Sequence, residues 1–296
     1  MPGANSVTSN QETLHKDLEE VVRKYARTTF LRPIADHTRE AFAQVEEFVR
    51  KFYATRNADP ATGCGETSAI GRGAPGTAPV AVILDSGCGT GESTIHIARR
   101  FPGIPVIGID KSCARLNKAG NPSQTAGEDV PANAFWIRAE LLDFWRLALE
   151  HVKSGKWTIP YHAVYYPNPW PKQSEATRRF HMHPIFPTLL ALGKTIELRT
   201  NWEIYAREFA EAARIAFEER AKSADAIAKG DSRLLRLRSL RLNSVQAAQA
   251  PAGMTDAAGM TIKCESFDPS APETAFERKY KEARQKLWRV LVALPQ

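Results

Sequence analysis

Two textures of apolar residues divide the chain. Between Leu14 and Tyr53 they recur at helical spacing: Leu18, Val21, Val22 and Tyr25, then Phe42, Val45, Phe48, Val49 and Phe52. This stripe predicts two helices, broken near Leu31-Arg-Pro-Ile34 where proline lacks the amide that would continue a helix. From Val80 the stripe gives way to short continuous apolar runs at Val80–Leu84, Val106–Ile109, Ala134–Ala139, Ala163–Tyr166 and Thr195–Leu198. Helical patterns lie between them, notably Glu92–Arg100, Leu141–Val152, Phe180–Leu192 and Trp202–Glu219. Buried strands alternating with helices mean βαβ units and a mostly parallel sheet. Two more runs, Thr261–Phe267 and Leu287–Leu294, are separated by a loop. They bring the expected sheet to seven strands, with an antiparallel pair at its edge. The expected class is α/β, with helices on both faces of the sheet.

Three segments follow from this pattern. Residues 1–56 form a helical N-terminal extension, and 57–79, rich in Gly, Ala, Pro and Thr, form a linker or loop. Residues 80–296 form the main domain, with a basic, Ala-rich insertion at about 222–260. Forty basic residues against thirty-three acidic ones give a net charge of +7. That excess favours a polyanionic partner without identifying it, since many basic enzymes never meet nucleic acid. The four cysteines lack paired metal-ligand spacing, so neither a zinc site nor a disulfide framework is expected. With no apolar signal region and no stretch of about 20 apolar residues, the reading is a cytoplasmic protein outside the membrane.

The first strand runs into Asp85-Ser-Gly87-Cys-Gly89-Thr-Gly91-Glu92, which opens a helix. Glycines suit a tight turn that a ligand must approach closely. The spacing Gly-x-Gly-x-Gly, with an acid two residues before it, differs from the dinucleotide pattern Gly-x-Gly-x-x-Gly. An acid at that position suits the cationic amine of S-adenosylmethionine. Asp110 ends the second run, where an acid accepts hydrogen bonds from ribose hydroxyls. Glu140 follows the third run, within reach of an adenine. Taken alone, Asp110 reads equally well as a helix cap. Three acids at three strand ends favour a cofactor site.

The fourth strand ends in Tyr165-Tyr-Pro-Asn168-Pro-Trp170-Pro-Lys172, followed by Arg178-Arg179. Ligands of open α/β sheets bind at the carboxyl ends of strands, so this segment should face the transferred group. Here the chain resembles the tRNA (guanine-N7-)-methyltransferase family, whose signature at this place is Pro-Asp-Pro-Trp, a lysine and a downstream Arg pair. The resemblance continues through Arg199-Thr-Asn201-Trp202 and resumes at Thr274-Ala-Phe276-Glu277-Arg-Lys279. It implies a Rossmann-like class I methyltransferase fold, S-adenosyl-L-methionine as cofactor, and N7-methylguanosine formation in the variable loop of tRNA. It also implies that Asp85, Gly87, Gly89, Gly91, Asp110 and Glu140 hold the cofactor and that Asn168 stands at the catalytic position, beside the cofactor. Lys172, Arg178, Arg179, Asn201, Thr274, Phe276 and Glu277 would hold the substrate.

The chain departs from that pattern twice. Asn168 replaces the usual Asp, and Ser174-Glu175 replaces a basic pair. Guanine N7 has an in-plane lone pair and no proton, so its methylation needs alignment and charge tolerance rather than a base. An Asp would stabilise the developing positive charge, whereas Asn offers a carbonyl dipole, so the reaction survives at a lower rate. Asn168 also fits an alternative, methylation of an exocyclic amine, where Asn-Pro-Pro-aromatic is usual. A methyltransferase for a non-tRNA substrate and a non-catalytic cofactor- or RNA-binding homologue stay open as well.

Other features divide between function and packing. Arg233, Arg236, Arg238 and Arg241, set among leucines, read as RNA contacts or as an ordinary basic helical face. His181-Met-His183 has no third ligand and reads as packing or hydrogen bonding, with no metal expected. Cys88 and Cys113 read as small buried residues without an activating partner. The sequence leaves the choice between monomer and homodimer open.

Overall fold

A computed structural model describes residues 7, 9–58, 78–119, 129–228 and 260–294, without the side chains of 57–58 and 224–228. Residues 59–77 of the proposed linker, most of the basic insertion and its four arginines lie outside the described residues, and the linker's first two residues belong to the second helix.

Two helices open the chain, α1 (Leu18–Ala26) and α2 (Asp36–Ala58), separated around Pro33 as the pattern predicts. Asp143 fastens the break: its carboxylate accepts hydrogen bonds from Arg32 Nη2 (2.9 Å) and the Ala35 amide (3.1 Å). Leu18, Val22, Phe42, Val45 and Val49 join the larger of two cores beneath the sheet. Burying each such side chain contributes about 1.5–3 kcal/mol, so the extension is packed onto the main domain.

The run Val80–Leu84 changes partners midway. β1 (Val80–Ala81) pairs in parallel with a short strand at Trp157–Thr158, while β2 (Ile83–Ser86) enters the main sheet. The switch lies at Val82, whose amide still donates to Thr158, whereas the Ile83 amide donates to Pro105. The chain continues through α3 (Glu92–Arg100), β3 (Val106–Asp110), α4 (Cys113–Leu116), β4 (Ala134–Arg138), α5 (Leu141–Lys153), β5 (Trp157–Thr158) and β6 (Tyr161–Tyr165). The predicted helix Phe180–Leu192 is interrupted. Pro184 forces His183 into extended backbone, leaving 3₁₀ turns at Gln173–Arg178 and Phe180–Met182 before α6 (Phe186–Leu192). Then come β7 (Thr195–Thr200), α7 (Glu203–Ala228), β8 (Thr261–Phe267), α8 (Ala275–Glu282) and β9 (Leu287–Ala293). Helix α7 runs beyond Glu219 into the segment read as insertion, and α8 occupies the segment read as a loop.

The seven main strands lie in the order β4-β3-β2-β6-β7-β9-β8. The first five are parallel, β9 is antiparallel to β7, and β8 is antiparallel to β9. The reversed strand is therefore inserted between β7 and β8, and the edge strand β8 points with the parallel set. Helices cover both faces. Ile83 packs with Ile97, Ala98 and Val106 on the α3 side, while its neighbour Leu84 joins the core beneath α5–α7. This is an α/β, Rossmann-like architecture, with the strand order reversing between β2 and β6. The crevice outside the carboxyl ends of those two strands is where such sheets take their ligands.

Candidate functional site

Asp85, at the end of β2, is 1% exposed. Its Oδ2 accepts hydrogen bonds from Ser93 Oγ (2.6 Å) and Thr94 Oγ1 (2.7 Å) in the first turn of α3. Its Oδ1 is buried with no hydrogen-bond partner among the described residues. Burial pushes the carboxyl up to about 6, against the pull of the two hydroxyl donors. A buried carboxylate oxygen without a partner is costly, and a cationic ligand is the group that would relieve it.

The turn beyond it has left-handed backbone at Gly87 (φ 79°), Gly89 (φ 61°) and Gly91 (φ 82°). A Cβ added at Gly87 or Gly89 meets nothing within 4 Å, so the loop offers open space beside its backbone. At Gly91 it would overlap the Trp136 indole. Gly91→Ala is thus expected to cost about 2–4 kcal/mol, from positive φ and overpacking together, as read by urea unfolding. Asp110 braces the same loop: Oδ2 accepts from the Gly89 amide (3.1 Å) and Oδ1 from the Ser112 amide (2.7 Å). The helix cap open to Asp110 in the sequence comes instead from Ser112, whose hydroxyl accepts from the Arg115 amide, and Asp110 holds the glycine turn. The buried Cys88 thiol is pushed well up, chiefly by burial, which keeps it protonated and inert.

Glu140 precedes the first turn of α5 without a side-chain bond to it, and its amide donates to Thr38 Oγ1 of α2 (3.4 Å). It borders a cavity of about 290 Å³ whose walls are Lys111, Arg138 and Ala139 on one side and Arg32, Pro33 and His37 on the other. The N-terminal extension therefore forms one wall of a cavity at the carboxyl ends of β3 and β4. Apolar periodicity gave no sign of this, because the wall residues lie at the break between the helices and in the first turn of α2, off the apolar stripe.

At the end of β6 the chain turns sharply. Tyr166 (φ 50°) and Trp170 (φ 45°) both take left-handed backbone, and Asn168 stands exposed between them. Lys172 is exposed. The exposed Arg178 lies over the Trp170 ring (4.4 Å to the centroid) and pairs with Glu175 (3.0 Å). Arg179 corrects the sequence expectation of a substrate contact. It is fully buried, donates twice to the Trp170 carbonyl (3.1 and 2.9 Å) and pairs with Glu208 (2.6 Å). Its guanidinium is committed to holding the turn from behind.

Glu208 gathers that support. Beyond Arg179, it accepts from His181 Nε2 (2.9 Å), Gln11 Nε2 (2.5 Å) and the His15 amide (2.8 Å). Burial opposes its ionisation, yet His181 and Arg179 hold its carboxyl down at about 2. Ser9 Oγ donates to the Pro171 carbonyl (2.8 Å), so the N-terminal segment also touches the turn directly. His181 thus serves hydrogen bonding, and His183 packs edge-on against Phe30. Sequence reading missed Glu208, although a signal existed: it is an acid on the stripe Tyr205, Phe209, Ala212 of a buried helix.

The last motif divides likewise. Thr274 caps α8 by accepting from the Glu277 amide (3.0 Å). Glu277 is fully buried and accepts from Arg199 Nη1 (2.8 Å), Tyr166 Oη (3.1 Å) and the Glu273 amide (2.7 Å). As a direct substrate ligand it is therefore corrected to a brace between α8, β7 and the turn after β6. Phe276 is 50% exposed and stacks with Tyr280 and Tyr166, forming an aromatic surface beside the turn. Asn201 donates to Gln285 Oε1 (3.1 Å). Among the described residues no three His, Cys, Asp or Glu side chains are grouped to hold a metal ion, and no helix is long and apolar enough to cross a membrane.

Asp85 and the glycine turn thus follow β2, Asp110 ends β3, and the Asn168 turn follows β6, the neighbour of β2 across the switch point of the sheet. A family model described as "Putative methyltransferase" matches residues 79–236, over half of the chain, including both of these segments. The chain belongs to this methyltransferase family. Among curated relatives, the tRNA (guanine-N(7)-)-methyltransferase of Mycolicibacterium gilvum is 32% identical over 165 residues, 53% of this chain and 57% of the relative. The enzyme of that name from Acidovorax sp. is 27% identical over 219 residues, 71% of this chain and 75% of its own. The trans-aconitate 2-methyltransferase of Deinococcus radiodurans is 55% identical over 42 residues, 14% of this chain and 16% of its own. The chain spans little more than half the length of the first of these relatives and a small part of the last.

Proposed function

We propose that this methyltransferase transfers a methyl group from S-adenosyl-L-methionine to N7 of a guanosine in tRNA. The observation that carries the reading is the orphaned Asp85 carboxylate beside a glycine turn with open space, directly across the switch point from the Asn168 turn. The likeness to relatives named for tRNA guanine-N7 methylation supports the choice of substrate. Asp85 would take the cofactor's amine, Gly87 and Gly89 would lie along it, and Asp110 and Glu140 would take its adenosine end. When bound, the cofactor supplies an electrophilic methyl group on a sulfonium.

The residues of this chain then have little covalent work. The guanine N7 lone pair would take the methyl group, with the thioether as leaving group, so no residue of this chain would need to remove a proton. Asn168 presents its amide to the purine as positive charge appears there, and the Phe276–Tyr280–Tyr166 surface gives the base a face to stack on. Lys172 and Arg178 supply positive charge for nearby phosphates. Free thiols at Cys88, Cys113 and Cys264 fit a cytoplasmic setting.

The test incubates the protein with unmodified tRNA transcripts and methyl-labelled cofactor, then maps the label by nucleoside mass spectrometry. Label is expected in N7-methylguanosine, falling about tenfold or more in Lys172→Ala and rising several-fold in Asn168→Asp, which restores an anion beside the forming charge. Label on an exocyclic amine would reassign Asn168 to amine recognition, and an absence of label would overturn the tRNA substrate.

A further inference from the structure

Three non-glycine residues among those described take left-handed backbone, and all three gather at one edge of the sheet. Tyr166 and Trp170 flank Asn168; the third is Arg284 (φ 53°), just beyond α8. The turn that holds Arg284 is joined to the site twice over. The Gln285 side chain accepts from Asn201 at the end of β7, and the Tyr280 ring lies 5.7 Å from that of Tyr166.

The backbone around Arg284 is a Schellman cap. The Arg284 amide donates to Lys281 O (2.9 Å) and the Gln285 amide to Tyr280 O (2.9 Å). Glycine is the usual residue at the left-handed position of this cap, because a Cβ there crowds the following carbonyl. Here the position holds an arginine, a residue that gains nothing from that backbone. Its side chain is exposed and makes no ion pair among the described residues. Lys286, two residues on, is exposed as well. Non-glycine residues kept in strained backbone cluster where function uses them.

We infer that Arg284 contacts a phosphate of the RNA substrate, so that the turn after α8 forms a cationic rim beside Asn201 and the aromatic surface. This rests on the tRNA reading above. It adds a contact beside Asn201 at the end of β7 to those of Lys172 and Arg178 in the segment after β6, which fits a backbone crossing the crevice while one base enters it. The competing role is a plain helix-end cation that stabilises α8 through its dipole. The two differ in sign when the residue is replaced by glycine.

The experiment pairs thermal melts with filter binding of an unmodified tRNA transcript across a salt series, using the full chain. Arg284→Gly is expected to melt about 1–3 °C higher, because strain is relieved. It should bind tRNA about 3–10-fold more weakly, with a slope of log affinity against log salt shallower by about 0.7–0.9. Arg284→Lys, which keeps charge and backbone strain, should retain most of the affinity. An Arg284→Gly protein that binds tRNA like the parent would overturn the contact while leaving the tRNA reading intact. A lower melting point with unchanged binding would assign Arg284 to the helix end instead. A parent protein that does not retain tRNA removes the substrate reading itself, and the phosphate contact with it.

Discussion

Asp85→Asn is expected to reduce S-adenosylmethionine binding about 100-fold or more, while leaving the ligand-free protein at least as stable as the parent at pH 8. The two effects have one cause. In the folded chain the Asp85 carboxyl sits at about 6, against 3.8 for a free aspartate, because it is buried with one oxygen unpaired. Its folded value is raised, so between about pH 4 and pH 6 the folded state holds a proton that the unfolded chain has lost. From this group alone, stability is greatest at low pH, falls as pH rises through that window, and is flat above it. The difference corresponds to about 3 kcal/mol. An asparagine carries no such cost at pH 8, and its carbonyl oxygen can still accept from Ser93 and Thr94. Urea unfolding of parent and variant at pH 5 and pH 8 isolates the effect, since the other titrating groups are common to both. Calorimetry gives the binding side. The parent's affinity for the cofactor should fall about tenfold per pH unit below about pH 6, as the carboxylate that would meet the amine becomes neutral. If Asp85→Asn bound the cofactor as tightly as the parent, the amine would be held elsewhere and Asp85 would be a structural acid.

The part of the site that the sequence makes legible is the part built from consecutive residues. The glycine turn and its acid follow directly from an apolar run, and strand ends put Asp110, Glu140 and Asn168 on one edge. What stays hidden depends on partners distant in the chain. Arg178 and Arg179 are identical neighbours in the sequence, yet one lies on the Trp170 ring at the surface and the other is buried behind it. Only the position of Glu208 on α7 distinguishes them. Glu277 is similar: the order Thr-x-x-Glu announces a capped helix start, and the cap is there, but its pairing with Arg199 and Tyr166 requires knowing that α8 packs against β7. Helix α8 itself escaped notice because its eight residues, Ala275 to Glu282, are largely charged, and Phe276 and Tyr280 give only one apolar pair a turn apart. The Val80–Leu84 run hid a change of sheet partner for a different reason, since apolar continuity does not report which neighbour takes the hydrogen bonds.

Glu208→Gln should destabilise the protein by about 3–5 kcal/mol, since it leaves the Arg179 guanidinium buried without a countercharge. The pair is fully buried on both sides, and the same carboxylate receives His181, Gln11 and the His15 amide. Glutamine keeps the volume but has one acceptor oxygen where both carboxylate oxygens receive donors, so the loss reports the charge together with one displaced pair of hydrogen bonds. Because the folded Glu208 carboxyl is held down at about 2 against 4.5 when free, its stabilisation is complete above the unfolded value and is lost as pH falls from about 4.5 towards 2. The parent should therefore lose stability over that range, and Glu208→Gln should show less of the loss. Guanidinium unfolding across pH measures both. Adding Arg179→Met should recover part of the stability, because a buried apolar pair lacks the desolvation cost of a broken ion pair. It should not recover turnover. Arg179 holds the Trp170 carbonyl, and without it the turn carrying Asn168 loses its support from behind. In the double variant, stability would return while methyl transfer stayed slow at saturating cofactor. If turnover returned in step with stability, the hub would serve only the fold, and Asn168 would be held by its flanking prolines alone.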